Sequence, residues 1–196
     1  MSGGDSFGLS GRTALVVGGD AAIRDVAVAG LSSAGAEASS VACEAFTSGK
    51  VEHRSADVLV LNCFNTPGSA APADPSELMA RLSGSQVTLP LAAMEKFIPA
   101  MRSRGWGRII LVTSDPDASE ASCTAHGAQS ALLQAQARLL AGAGITVNRV
   151  VVGAPSLSVL SAWSCDLASA VRYFASSESS FVTGQTLRLD VSFAKN

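Results

Sequence analysis

Charge is scarce in this chain. Asp, Glu, Lys and Arg make up 15% of its 196 residues, and the net charge is −2. No basic field exists to draw in nucleic acid or an anionic lipid surface. Aromatics are fewer still, at 5%, with one tyrosine, Tyr173. No apolar run reaches the roughly 18–20 residues that span a bilayer. The opening Met1–Gly8 has neither a basic n-region nor an apolar h-region. A secretory signal is therefore not expected, and a cytoplasmic location is. The four cysteines, Cys43, Cys63, Cys123 and Cys165, form no Cys-x-x-Cys pair, and His53 and His126 lie far apart. No metal site is expected, and the thiols read as small hydrophobes kept reduced.

What is present is apolar. Hydrophobic residues reach 47% and the mean hydropathy is +0.31. The length suits one domain able to bury a sizeable core. The low charge implies that another subunit covers part of the surface. Residues 1–8 are expected to be disordered and 9–196 to form the domain. Thr13–Gly18, Glu37–Cys43, Asp57–Leu61, Arg108–Thr113, Thr146–Val152 and Gln185–Val191 read as strands, most of them apolar throughout. Between them, Asp20–Ala34, Glu77–Arg104, Ala121–Ala143 and Cys165–Ala175 read as helices. Gly30 falls on the apolar face of the first and is expected to let it pack closely on the sheet; Gly35 ends it. Pro90 is expected to kink or interrupt the second. Strands alternating with helices imply an α/β fold with a doubly wound parallel sheet of the Rossmann kind.

Four stretches carry a resemblance. They are Arg12–Ala36, Asp57–Phe64 (DVLVLNCF), Pro99–Ile110 (PAMRSRGWGRII), and the C-terminal pair Gly144–Asn148 (GITVN) and Asp166–Gln185. In this order they resemble the short-chain dehydrogenase/reductase family across nearly the whole chain. The resemblance implies a single Rossmann-like domain, here shortened in two places. Only 13 residues, Glu44–Ala56, separate Cys43 from Asp57, where the family has a further helix and strand that meet the adenine. Only 12, Ala154–Cys165, stand where the family carries its substrate lid.

The resemblance also shows what has been lost. The family's cofactor turn, Thr-Gly-x-x-x-Gly-x-Gly, is matched by Val17–Arg24, with Gly18 kept, Ala22 at the second glycine and Arg24 at the third. An Arg there puts a long side chain where closeness is needed, yet a guanidinium also suits a phosphate. The Asn-Asn-Ala-Gly motif becomes Leu61-Asn62-Cys63-Phe64, and Phe64 reads as a plug in a vacated cofactor site. These five positions, Gly18, Ala22, Arg24, Asn62 and Phe64, are a vestigial cofactor set. This chain is expected to bind no dinucleotide tightly.

The family's catalytic Asn, Ser, Tyr and Lys fall on Gln86, Ser114, Ser122 and His126 when the long helix is read back ungapped from Gly144. A one-turn deletion inside that helix would instead place His126 and Ser130 at the Tyr and Lys positions. The ungapped register is preferred, because loops absorb deletions more easily than helices. In either register the Tyr-x-x-x-Lys pair is absent. A serine cannot replace a phenol tuned toward neutral pH. His126 can exchange a proton near neutrality but needs an orienting partner, for which Asp115, Asp117 and Glu120 are near in sequence.

The function implied is that of a non-catalytic subunit. It would form a hetero-oligomer, expected to be a heterotetramer, with an active NAD(P)-dependent paralogue, through helices 77–104 and 121–143 and through 166–191. Family members that pair an active with a degenerate subunit include dehydrogenases of acyl-CoA or acyl-carrier substrates. Two alternatives stand beside it. One is a homo-oligomeric enzyme of non-hydride chemistry using Ser114 and His126. The other is a small-ligand-binding regulatory protein.

Overall fold

The computed structural model describes residues 7–49, 55–64, 74–116, 120–153 and 160–190. Six parallel strands form one sheet: β1 (Thr13–Gly18), β2 (Glu37–Val41), β3 (Val58–Asn62), β4 (Gly107–Ser114), β5 (Ile145–Gly153) and β6 (Thr186–Asp190), in the order β2-β1-β3-β4-β5-β6. The chain moves from β1 to β2 on one side and resumes at β3 on the other. The order therefore reverses between β1 and β3, and the carboxyl ends of those strands frame the crevice where such sheets bind ligands.

Alternate apolar residues of the strands face opposite sides of the sheet, valine predominating on one side and leucine or isoleucine on the other. Val16, Val58, Val60, Val112, Val150 and Val152 lie under helices α1 (Ala21–Ser33) and α6 (Leu160–Ala175). Leu15, Leu59, Leu61, Ile109, Leu111 and Val147 lie under α4 (Leu89–Arg104) and α5 (Glu120–Leu140). Both faces are covered, which is why the central strands read as continuous apolar runs. The edge strands differ. β2 (EASSV) and β6 (TLRLD) are largely exposed and polar, as strands bordering solvent are.

Local chemistry sets the helix ends. Gly35 takes φ +91° and its N–H donates to Ser32 O, closing α1 as expected. Gly30 corrects the sequence expectation. A Cβ there would lie 3.0 Å from Ala168 of α6, so this glycine brings two helices together rather than a helix onto the sheet. The segment after β2 holds a short helix, α2 (Cys43–Thr47), and residues 50–54 lie outside the described part.

The helix containing Pro90 is interrupted as expected, in the turn just before the proline. Helix α3 (Pro75–Ser83) runs into a π-helical turn, Gly84–Thr88, and α4 begins at Leu89 with Pro90 in its first turn. A proline there needs no N–H, but it leaves the carbonyl of Gln86 without a helical donor. Nε2 of Gln129 on α5 supplies one at 3.2 Å.

The amino end of the sheet is tied by charge. Asp57 accepts from Thr13 N and Oγ1 at 3.0 and 3.2 Å and pairs with Arg104 at 3.2 Å. Trp106 lies between the guanidinium groups of Arg12 and Arg108, at 3.8 and 4.3 Å from the ring centre. Among the described residues, no helix is long and apolar enough to cross a membrane.

Candidate functional site

The crevice at the sheet's reversal point is built by the end of β1. Gly18 and Gly19 take φ +112° and +22°. A Cβ on either would lie 2.5 or 2.8 Å from the backbone oxygen of Asn62, so the close passage of β3 admits only glycine at both. Asn62 is buried and holds the corner together. Its Nδ2 donates to Asp20 O at 2.9 Å, and its Oδ1 accepts from Phe64 N at 3.1 Å.

Asp20 opens α1. Its Oδ1 accepts from the N–H groups of Ala22 and Ile23 at 2.8 and 3.2 Å. These are donors at a helix N-terminus, the feature that binds phosphate in nucleotide folds. Here the chain's own carboxylate takes them. Ala22, at the second glycine position, thus contributes its amide to the cap. Arg24 points back along the turn, and its Nη1 donates to Gly18 O at 2.8 Å and to Gly19 O. The third glycine position has become a clamp on the two glycines before it. Asp20 was not singled out in the sequence, although an Asp just before a helical repeat is an N-cap signal.

Phe64 is 4% exposed and stacks on Trp163 of α6, ring centres 6.1 Å apart and planes at 27°. Both belong to the core between the sheet and helices α1 and α6. Trp163 has no counterpart in the sequence reading, because its contact with Phe64 spans a hundred residues. Beside β2 a cleft of about 280 Å³ is lined by Thr13, Leu15, Glu37, Ser39 and Ala56 among others, with Glu37 its one ionisable side chain.

The four catalytic positions are spread over three elements. Gln86 is buried in the π-helical turn, its carbonyl held by Gln129. Ser114 ends β4 opposite Val152, on the face of α1 and α6 by strand alternation. Ser122 and His126 lie one turn apart in the first half of α5, both half-buried. No hydrogen bond joins Ser114 to His126 among the described residues. Ser130, the alternative position, donates its hydroxyl to the His126 carbonyl at 3.0 Å.

Of the three acids near His126 in sequence, Asp117 lies outside the described residues and Glu120 is exposed. Asp115 is paired with Arg188 of β6. That ion pair lies over Gly153, where a Cβ would be 3.4 Å from Asp115 Oδ2 and 3.5 Å from Arg188 Nη2. The His126 imidazole is held below its usual pKa. Burial is the main cause and the charge of Arg149 the next; Asp115 opposes them and Arg188 adds to them. The charged imidazolium is thereby disfavoured in the folded chain. The charges of Arg149, Asp115 and Arg188 thus act on it, a relation that the sequence could not indicate because they come from β5, the turn after β4 and β6. Among the described residues no group of three or more His, Cys, Asp or Glu is placed to hold a metal ion.

No protein-family model matches the chain. Solved structures do. A gluconate 5-dehydrogenase from Burkholderia cenocepacia J2315, in complex with NADP and tartrate, superposes with a TM-score of 0.77 at 20% identity, covering 98% of each chain. A 3-oxoacyl-(acyl-carrier-protein) reductase from Agrobacterium tumefaciens C58 with NADP bound gives 0.75 at 21% identity over 94% of this chain and 95% of that one. A short-chain type dehydrogenase/reductase from Mycobacterium marinum gives 0.74 at 21% identity over 97% and 98%. With its parallel sheet, its reversal point and its helices on both faces, this chain has the fold of the short-chain dehydrogenase/reductases.

Proposed function

We propose that this protein is a non-catalytic subunit that assembles with an active NAD(P)-dependent short-chain dehydrogenase of the same fold. One observation carries the reading. The helix amides and turn carbonyls of the crevice are bonded to the chain's own Asp20 and Arg24. A pyrophosphate entering there would have to displace a carboxylate from its two best donors and would meet its negative charge. Phe64, packed on Trp163, occupies the adjoining corner. The residues present do not fit a dinucleotide, and no phenol stands at the Tyr position to exchange a proton with a carbonyl substrate. NAD(P) and the hydride step belong to the partner in this reading. The acyl-carrier reductase among the similar structures makes an acyl-CoA or acyl-carrier substrate the leading expectation for the complex.

The surface supports assembly. On α5 the exposed residues Cys123, Gly127, Ala131, Ala135 and Leu139 recur every four positions, forming a stripe without charge. Leu139 is 67% exposed. Small residues at this spacing let a second helix approach closely, whereas a solvated face carries charge. Phe181 is fully exposed before the edge strand β6, and Leu187 within that strand is 39% exposed.

The test is affinity capture of the tagged chain from its native host, followed by mass measurement of the intact assembly. Near-stoichiometric recovery of a second short-chain dehydrogenase carrying Tyr-x-x-x-Lys is the expected result. Recovery of this chain alone, as a stable homo-oligomer, would overturn the reading and turn attention to Ser114 and His126.

A further inference from the structure

Two buried side chains on the α5 face of the sheet, and half-buried His126 on α5 itself, hold buried polar atoms without hydrogen-bond partners: Thr113 Oγ1, Nε and Nη1 of Arg149, and Nε2 of His126. Such atoms are rare in folded proteins, and a cluster of them points to an absent partner. The strand register brings these together. Thr113 pairs with Val151 and Leu111 with Arg149, so Thr113 and Arg149 share one face of the ladder. Arg188 pairs with Val151 from the other side and joins that face. Helix α5 packs on this face through Leu133, Ala137 and Leu140, while Ala121 and Ala125 of its first half pack on α3. His126, on that first half, feels the charges of Arg149, Asp115 and Arg188.

Arg149 is the key group. It is 4% exposed, its Nε and Nη1 have no hydrogen-bond partner, and Asp115 acts on it through its charge. Burying an unpaired guanidinium costs several kcal/mol, so a counter-charge is expected beside it. Asp115 is the carboxylate facing this region, and Arg188 holds it. Arg149, Arg188 and Asp115 together carry a net charge of +1. Asp190, the other acid on this face of β6, is exposed at the strand's end.

We propose that the space between α5 and the carboxyl halves of β4, β5 and β6 binds a small carboxylate monoanion. Arg149 is its counter-charge, and the Thr113 hydroxyl and His126 Nε2 are its polar partners. A single negative charge balances the site. A phosphate dianion would leave an excess of negative charge against Asp115. This site lies across the sheet from the Phe64–Trp163 contact and does not depend on whether the chain is a subunit or acts alone. It gives the protein a ligand of its own, whether the acid group of a substrate shared with a partner or that of an effector.

The test uses the full chain with sodium acetate and sodium propionate as probes, against inorganic phosphate and against sodium chloride at matched ionic strength. Thermal unfolding is expected to rise saturably with the carboxylates. Arg149→Met is expected to weaken the effect at least about tenfold, the loss of one charge-assisted contact. In carboxylate-free buffer that variant is expected to unfold no earlier than the wild type, because it removes an uncompensated charge. If Arg149→Met does not fold, two other measurements decide. The wild-type His126 ring signal should shift in carbon-edited NMR on adding acetate, and Thr113→Val should weaken binding roughly fivefold, the worth of one neutral hydrogen bond. The inference is overturned if neither carboxylate gives a saturable effect, or if phosphate binds and the carboxylates do not. It is equally overturned if Arg149→Met responds as strongly as the wild type.

Discussion

Replacing Asp20 tests the reading of the crevice most directly. Its carboxylate caps α1 by accepting from Ala22 N and Ile23 N. Losing an N-cap side chain costs about 1 kcal/mol, within a range of roughly 0.5–2. Losing the negative charge from the helix N-terminus adds about 0.3–1 kcal/mol. Asp20→Ala removes both and should cost about 1–2 kcal/mol. Asp20→Asn keeps an acceptor oxygen and should cost only the charge, about 0.3–1 kcal/mol. For a domain of this length each kcal/mol lowers Tm by about 2–4 °C, so differential scanning calorimetry can separate the two variants. A second arm concerns the vacated donors. If Asp20 occupies an anion site, its removal opens one. Inorganic phosphate at about ten times its Kd should then restore roughly 1.4 kcal/mol to Asp20→Ala. The wild type should show no such gain at this locus. Equal stabilities for the Ala and Asn variants, or the same phosphate response in Asp20→Ala and wild type, would refute the self-occupied crevice.

Three further outcomes follow from the packing and the electrostatics. Phe64→Ala empties a buried stack and should cost about 3–5 kcal/mol in denaturant unfolding, without creating tight NADP binding in equilibrium dialysis. A loss below about 1 kcal/mol would mean that Phe64 is not part of the core. Gly144→Ala should prevent stable folding: a Cβ there would lie 2.2 Å from Gly105 O, and the backbone is held at φ +70°. Soluble variant with a native circular dichroism spectrum and an unchanged Tm would contradict this. The third outcome concerns pH. His126 has a folded-state pKa below its unfolded value of about 6.5, so the unfolded chain binds more protons between the two. Stability should fall as pH drops through about 6.5 toward the folded-state value and then level off. Arg149 and Arg188 disfavour the added charge and Asp115 favours it. His126→Gln should flatten this part of the pH–stability curve, and an unaltered slope would sink the assignment.

Much of the architecture was legible because it rests on local rules. Val58–Asn62 and Gly107–Ser114 are buried almost throughout and largely apolar since both faces of the sheet are covered, and the sequence places each strand within a residue or two of its ends. Gly35 ends α1 because a positive φ is needed there. The boundaries that moved did so for tertiary reasons. Pro90 interrupts the helix as expected, but the break falls in the π-helical turn before it, where Gln129 of α5 caps the freed Gln86 carbonyl. Gly30 faced the expected apolar side, but α6 rather than the sheet fills that side. For Arg24, the sequence left open whether a guanidinium at the third glycine repels or captures a phosphate. Its bonds to Gly18 O and Gly19 O give it a role inside the turn.

By itself, the sequence determined the parallel α/β order, the strands and helices that compose it, the shortened segment after β2 and the absence of a Tyr-x-x-x-Lys pair. These depend on periodicity, turn residues and residue identity, all of which act over a few positions. The tertiary structure decided what fills the vacated crevice and what faces the lost catalytic positions. Phe64 meets Trp163, Asp115 meets Arg188, and Thr113 and Arg149 share one face of the sheet with polar atoms left unpartnered. Strand register and helix docking set these meetings across tens of residues, and hydrophobic patterning alone does not encode which polar side chain will find a partner.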